Sequence, residues 1–263
     1  MGSDWAGEVA GFYARFRRGY PPEFIDLLAK SFGLGAEDVV LDVGCGTGQL
    51  TLPLASRVRG VVGMDPEPDM LAAARAAAAD RGVANIAWAL GGSDDVPALA
   101  AVLGERSLAA LTTGNAIHLI RHEELFSAAL PLLRPGGGLA VVANGTPLWR
   151  QPAPWSRALR QGLEQWLDTS LVSCCGTDAA ARERYRDALI AAGFTRVHEQ
   201  AFDYSADLGF DELIGGVYSA MGGSSFPSPD QRAAFEEHIR RAVGPADQFT
   251  EHVSVAALIG HAA

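Results

Sequence analysis

The stretch Val39-Val40-Leu41-Asp42-Val43-Gly44-Cys45-Gly46-Thr47-Gly48 decides the fold of this chain. Its first five residues form an apolar run, broken only by Asp42, that is typical of a buried strand in a parallel sheet. Three glycines at every second position follow, and a helical segment begins at Gln49. Because glycine adopts positive φ and carries no Cβ, the backbone of this turn can lie against a ligand. A strand-to-helix turn is also the usual ligand crevice of an open α/β sheet.

Strands and helices alternate along the rest of the chain, which predicts a mostly parallel sheet with right-handed crossovers. Strands are predicted at 39–43, 60–65, 85–90, 107–112, 139–143, 195–202 and 252–259, and helices at 21–32, from Gln49, at 68–80, 123–133 and 179–192. We expect a single domain over residues 1–263. It has an N-terminal cover (1–35), a core (36–144, 178–202 and 248–263) and two lid insertions, one irregular (145–177) and one irregular and partly helical (203–247).

The spacing of the glycines distinguishes a dinucleotide-binding turn from a turn that binds another cofactor. A dinucleotide site has the pattern G-x-G-x-x-G, whereas Gly44, Gly46 and Gly48 give G-x-G-x-G. With Asp42 in front, this motif resembles that of the class I S-adenosylmethionine-dependent methyltransferases, and the segment Val61-Val62-Gly63-Met64-Asp65 continues the resemblance. An NAD-binding oxidoreductase is the disfavoured alternative.

This resemblance implies an α/β, Rossmann-like fold with a seven-stranded sheet whose last strand is antiparallel beside the fifth. It implies S-adenosyl-L-methionine as the cofactor, with Asp65 on the ribose hydroxyls and Arg17 near the methionine carboxylate. Gly92 stands where the family carries an acid that meets adenine, and Ser93 or Asp94 is the candidate replacement. The full predicted cofactor set is Arg17, Asp42, Gly44, Cys45, Gly46, Gly48, Asp65, Pro66, Met70, Ser93, Asp94, Thr113 and Gly114.

His118 is the candidate catalytic residue, because histidine can take a proton near neutral pH. It falls in the segment that resembles the family motif beside the transferable methyl group. Substrate orientation and a buried structural role are the alternatives. The predicted substrate-binding set is Tyr13, Asn115, His118, Trp149, Tyr218 and Met221. The three aromatic or sulfur-containing residues of the insertions (Trp149, Tyr218 and Met221) are equally consistent with the core of a lid.

Composition narrows the function. The chain carries 31 acidic against 21 basic residues, a formal net charge of -10, which opposes a nucleic-acid partner. The three cysteines, Cys45, Cys174 and Cys175, have no metal-ligand spacing, and we expect no metal. The N-terminus has no signal-peptide pattern and no apolar run reaches membrane-spanning length, so we expect a cytoplasmic protein without a membrane partner, as monomer or homodimer.

The sequence therefore predicts a methyltransferase that modifies a small molecule in bacterial specialised metabolism. An O-methyltransferase is the first choice. Transfer to nitrogen, carbon or a carboxylate is the alternative within the family, and a cofactor-binding protein without turnover is the alternative outside it.

Overall fold

The computed structural model describes residues 4–171, 176 and 178–263. Cys174 and Cys175, which the sequence predicts to be reduced thiols, lie outside the described residues. The chain divides into two compact units. The sheet unit comprises Arg18–Asn144, Cys175–Phe202 and Val255–Ala263, and the helical unit comprises Met1–Arg17, Gly145–Cys174 and Asp203–Ser254.

A seven-stranded sheet has the order β3-β2-β1-β4-β5-β7-β6. Strands β1 to β5 pair in parallel, and β7 pairs antiparallel with β5. This confirms the predicted fold class, including the antiparallel last strand. The strands are β1 (Val39–Val43), β2 (Gly60–Asp65), β3 (Ile86–Leu90), β4 (Leu108–Gly114), β5 (Leu133–Asn144), β6 (Thr195–Gly209) and β7 (Gln248–His261).

Ten α-helices are present in the described residues. They are α1 (Glu8–Phe16), α2 (Pro22–Phe32), α3 (Thr51–Ala55), α4 (Pro68–Asp80), α5 (Val96–Leu103), α6 (His122–Ala129), α7 (Pro154–Leu167), α8 (Ala179–Ala192), α9 (Phe210–Tyr218) and α10 (Arg232–Val243). No helix among the described residues is long and apolar enough to cross a membrane.

Local signals explain where the well-predicted helices begin and end. The Glu67 side chain accepts a hydrogen bond from the Asp69 N–H at the start of α4. The Asp178 side chain does the same for the Ala181 N–H at the start of α8, and Gly193 ends that helix in a left-handed conformation. Such caps satisfy backbone groups that the first and last turns of a helix leave unpaired.

Several predicted boundaries are wrong. Helix α5 lies in a stretch for which the sequence predicts no element, and α3 begins two residues later than Gln49. The helix predicted at 123–133 ends at Ala129, and β5 begins at Leu133 instead of 139, so that Gly136, Gly137 and Gly138 belong to the strand. A Cβ on Gly138 would lie 2.3 Å from the Gly260 carbonyl oxygen and 2.6 Å from the Phe32 ring. Glycine is therefore required here by the close approach of neighbouring chain segments rather than by a turn.

One insertion of the helical unit contains more regular structure than predicted, since the stretch 145–177, expected to be irregular, includes α7. The stretch 203–247, expected to be partly helical, includes the end of β6 with α9 and α10. An aromatic and aliphatic cluster, including Leu159, Leu213, Tyr218, Phe235 and Phe249, forms its core. The Phe16 ring lies so close to Gly215 that a Cβ there would be 2.3 Å away, so α1 packs tightly on α9.

Candidate active site

The glycine turn after β1 is held in one conformation by β2. Gly44, Gly46 and Gly48 have φ values of 70°, 54° and 86°, which disfavour other residues. The N–H groups of Gly44 and Cys45 both donate to the Met64 carbonyl, at 2.8 and 3.0 Å. The turn is therefore shaped before any ligand arrives.

Asp65, at the end of β2, is the carboxylate that joins this turn to α4. One carboxylate oxygen accepts a 2.8 Å hydrogen bond from the Gly46 N–H, and the other accepts a 2.9 Å bond from the Glu67 N–H. Burial raises the pKa of Asp65 against the lowering effect of these two bonds. Each carboxylate oxygen can accept a second hydrogen bond, so both remain capable of meeting ribose hydroxyls.

Asp42 has a different role from the one predicted. It is 1% exposed, and its two oxygens accept hydrogen bonds from the Thr51 and Thr112 hydroxyls at 2.6 and 2.8 Å. Burial raises its pKa to about 6, partly offset by those hydroxyls. Asp42 therefore does not face a ligand but ties β1 to α3 and β4 beneath the turn. This corrects its place in the cofactor-contacting set.

Cys45 and Met70 are also buried, at 6% and 4% exposure, and act as packing residues of the turn and of α4. Burial, with the nearby carboxylates of Asp42 and Asp65, raises the pKa of the Cys45 thiol, so it is a neutral filler and not a nucleophile. Pro66, by contrast, is exposed beside Asp65.

The loop after β3 does not offer the predicted free acceptor. The Asp94 carboxylate pairs with the Arg121 guanidinium at 2.7 Å, and both side chains are more than 60% exposed. Asp95 accepts a 2.8 Å hydrogen bond from the Gly92 N–H and so shapes the short 3₁₀ turn Ser93–Asp95. Asp94 is thus engaged by Arg121 through one carboxylate oxygen, and the adenine contacts of Asp94 and Ser93 stay predictions.

Residues after β4 lie at the same edge of the sheet as the glycine turn. A Cβ on Gly44 would be 2.6 Å from the Ala116 Cβ, so the two loops touch. Thr113 is fully buried, and its hydroxyl has no hydrogen-bond partner among the described residues. Asn115 has a φ of 55°, and its Oδ1 accepts a 2.9 Å hydrogen bond from the Asn144 N–H. Strained backbone of this kind is frequent at functional sites.

His118 is exposed on the 3₁₀ turn Ile117–Leu119. The side chain is therefore not buried, and the catalytic and orienting roles of His118 stay predictions. A Cβ on Gly176 would lie 2.9 Å from the His118 Cβ and 2.4 Å from the Tyr185 hydroxyl. Gly176 thus lets the chain pass close to this histidine.

Four further residues at this edge are absent from the predicted site. Leu90, at the end of β3, and Leu119, after β4, are 66% and 63% exposed. Tyr20 lies with its hydroxyl against Gly114, and Asn144 ends β5. An exposed leucine is visible only in the structure, but Asn144 directly follows an apolar strand, a signal that was available.

The remaining predicted residues belong to the helical unit. The Arg17 guanidinium lies 5.1 Å from the centre of the Tyr13 ring, a cation–π contact. Tyr218 and Met221 are buried at 2% and 6% exposure, and the Tyr218 hydroxyl donates to Glu236 at 3.0 Å. Trp149 packs against the same cluster while partly exposed. For Tyr218 and Met221 the structure favours the core alternative over substrate lining.

Comparisons with known proteins agree with this architecture. A family model described as a methyltransferase domain matches residues 40–137. An uncharacterized methyltransferase of Mycobacterium tuberculosis is 36% identical over 138 residues, which are 52% of this chain and 51% of that protein. The matched region thus spans about half the length of such curated relatives. A 51-residue stretch is 49% identical to a 23S rRNA uracil C5-methyltransferase of Stenotrophomonas maltophilia, covering 19% of this chain and 12% of the relative.

A solved structure from Anaeromyxobacter dehalogenans superposes with a TM-score of 0.62 at 18% identity, covering 94% of this chain and 97% of the other. At that identity the likeness concerns the fold. Together with the domain matched over residues 40–137, the glycine turn and the antiparallel last strand, it shows that the chain has the fold of the class I S-adenosylmethionine-dependent methyltransferases.

S-adenosylmethionine is the cofactor of methyltransferases with this fold, and the residues present in this chain fit it. The glycines of the turn have no Cβ atoms where the backbone would meet the ligand. The Asp65 carboxylate can accept further hydrogen bonds. The buried Thr113 hydroxyl, near the end of β4, has no hydrogen-bond partner among the described residues. Within residues 4–171, 176 and 178–263, no three His, Cys, Asp or Glu side chains are grouped to hold a metal ion.

Proposed function

We propose that the protein transfers a methyl group from S-adenosylmethionine to an oxygen atom of a small molecule. The observation that carries the proposal is the arrangement at the carboxyl ends of β1, β2 and β4. There the Asp65-clamped glycine turn and the loop bearing the exposed His118 are joined by the contact of Gly44 with Ala116. Transfer to nitrogen, carbon or a carboxylate is the alternative chemistry at the same site.

The demands on the protein are modest, because the sulfonium cofactor supplies an already activated methyl group. The chain must hold the acceptor atom in line with it and exclude water. An exposed histidine at the end of β4 can take the proton that a hydroxyl acceptor loses. His118 is therefore proposed as the general base, with hydrogen-bonded orientation of the acceptor as its alternative role.

A small-molecule acceptor is supported by charge. With a formal net charge of -10, the chain lacks the excess of Lys and Arg through which proteins neutralise phosphate backbones. An RNA substrate is the second candidate, since a short stretch of the chain is similar to an rRNA methyltransferase. A setting in bacterial specialised metabolism remains a prediction from the sequence.

The first test is cofactor choice. Calorimetric titration should show binding of S-adenosylhomocysteine and none of NADH; binding of NADH alone would overturn the proposal. The second test supplies methyl-labelled S-adenosylmethionine with either a small-molecule metabolite extract or total RNA. Label in the small-molecule fraction, lost in an Asp65→Ala variant, is the expected result. Label in RNA alone would favour the second candidate, and cofactor binding without label in either would indicate a protein without turnover.

A further inference from the structure

Asn144, the last residue of β5, makes three polar contacts that bring distant parts of the sheet unit together. Its side-chain Nδ2 donates to the carbonyls of Arg18 and Gly19, at 3.3 and 3.1 Å. Its backbone N–H donates to Asn115 Oδ1 at 2.9 Å. Because carbonyl oxygens only accept hydrogen bonds, these contacts fix which way the Asn144 amide points.

The segment held by Asn144 also rests on β4. The Tyr20 hydroxyl occupies the space beside Gly114, where a Cβ would lie 2.6 Å from it, and the Tyr20 ring stacks on Phe24 with centroids 5.7 Å apart. Residues 18–20 therefore cross the carboxyl ends of β4 and β5. Asn115 supports this arrangement through its left-handed backbone and an N–H bond of 2.9 Å to the Val142 carbonyl.

Of the two polar atoms of the Asn144 amide, only Nδ2 makes hydrogen bonds with the described residues. Its Oδ1 is buried and finds no hydrogen-bond donor in the part of the chain that the structure describes. Buried polar atoms are nearly always paired, so an acceptor without a donor at the edge of a ligand crevice calls for a donor from outside the chain. An ammonium group, which has three donors and no acceptor, suits an amide oxygen.

We propose that Asn144 is a positioning residue for cofactor binding. Its nitrogen fastens residues 18–20 across the ends of β4 and β5, where they shield the methionine half of the cofactor from water. Its oxygen accepts a hydrogen bond from the cofactor's α-ammonium. This inference rests on the proposed function for its second part, whereas the fastening of residues 18–20 is a property of the chain without ligand.

Asn85 provides a matched control. Its Nδ2 also donates to backbone carbonyls, those of Ala55, Val58 and Arg59 at 2.8–3.3 Å, but it lies just before β3, at the opposite edge of the sheet. Asn85→Ala and Asn144→Ala should both lower the melting temperature. Only Asn144→Ala should speed hydrogen exchange of the peptide containing residues 18–20 in the ligand-free protein. Unchanged exchange there would overturn the fastening, whatever the protein binds.

The proposed contact of Asn144 Oδ1 with the cofactor's ammonium group is tested with Asn144→Asp, which keeps an acceptor oxygen but loses the Nδ2 donor. Both substitutions at this position should release residues 18–20. Calorimetry should then show S-adenosylhomocysteine binding weakened about tenfold in Asn144→Ala, the scale of one or two lost hydrogen bonds, and distinctly less in Asn144→Asp. Equal losses in the two variants would overturn the contact with the ammonium. Wild-type protein that fails to bind S-adenosylhomocysteine would instead overturn the proposed function.

Discussion

The backbone N–H of Gly46 donates a 2.8 Å hydrogen bond to the carboxylate of Asp65, nineteen residues further along the chain. This bond connects the two segments of sequence that most resemble the methyltransferase family. It means that the carboxylate expected to hold the ribose also sets the shape of the glycine turn. Loss of the Asp65 carboxylate should therefore weaken cofactor binding in two ways. It removes a hydrogen-bond acceptor for the ribose, and it removes the bond that holds the glycine turn in place.

Asp65→Ala should weaken S-adenosylhomocysteine binding by about 2–3 kcal/mol, the cost of losing charge-assisted hydrogen bonds. Isothermal calorimetry measures this directly. Asp38→Ala is the control, since Asp38 likewise accepts a backbone N–H, that of Gly35 at 2.7 Å, and pairs with Arg134 before β1. It should cost stability and leave affinity unchanged. Equal affinity loss in both variants would show that Asp65 acts only through folding.

Gly44→Ala should disrupt the turn by direct collision. The new Cβ would lie 2.6 Å from the Ala116 Cβ, and the residue would keep a φ of 70°. Gly82→Ala measures the cost of the positive φ alone, because Gly82 has a φ of 64° and no atom lies within 4 Å of the position of a Cβ. We expect about 1–2 kcal/mol of lost unfolding free energy for Gly82→Ala and a further 1–3 kcal/mol for Gly44→Ala, measured by urea unfolding. A matching cost in the two variants would mean that the loops do not touch.

The buried carboxylate of Asp42 makes stability depend on pH. Because its pKa rises from 3.8 to about 6 on folding, the folded state holds an extra proton between these values. Its contribution to stability is therefore fully present below pH 3.8 and is lost as pH rises through about 6, up to about 3 kcal/mol in all. In Asp42→Asn this fall should disappear, because an amide does not titrate in this range. Its oxygen can still accept a hydrogen bond from the Thr51 or Thr112 hydroxyl. Identical pH profiles of unfolding free energy in both proteins would contradict this account.

The fold could be predicted where local signals are strong. Helix α8 has the predicted bounds, since Asp178 and Gly193 act as caps within a few residues of the segment they end. Helix α5 was missed because Val96–Leu103 is short and almost wholly apolar or alanine, without the polar face that marks a surface helix. The start of β5 was missed because a glycine that serves close strand packing looks the same in sequence as one that serves a turn.

Only those parts of the site that depend on residues close together in sequence could be predicted. The glycine turn and Asp65 can each be recognised within a few residues of sequence, whereas the hydrogen bond from Gly46 to Asp65 that joins them is seen only in the structure. The contact between Asn144 and Gly19 spans 125 residues and depends on the order of strands in the sheet. Asp42 could not be distinguished from a ligand contact, because its two threonine partners come from separate elements.

Substitutions at His118 distinguish general-base catalysis from orientation of the acceptor by a hydrogen bond. Because its side chain is exposed and outside the core, His118→Ala, His118→Asn and His118→Gln should fold with the far-UV circular-dichroism spectrum of the wild type. If His118 removes a proton from the acceptor, all three variants should lose about 10²–10⁴-fold in kcat while S-adenosylhomocysteine affinity stays near that of the wild type. If it only orients the acceptor, the Asn or Gln variant should recover much of the rate, because an amide can form the hydrogen bond but cannot take the proton.

The pH dependence of methyl transfer gives a second, independent measurement of the role of His118. A general base must be unprotonated to act, and histidine ordinarily titrates at about pH 6.5. The wild-type rate should therefore fall as pH drops below neutrality, and the fall should be absent from the residual rate of His118→Asn. His198→Asn, which removes a histidine whose ring is bonded to the Arg196 carbonyl at 2.8 Å on β6, should retain the wild-type profile. A flat wild-type profile, or the same acid limb in His118→Asn, would remove general-base catalysis by His118 and leave orientation of the acceptor as its role.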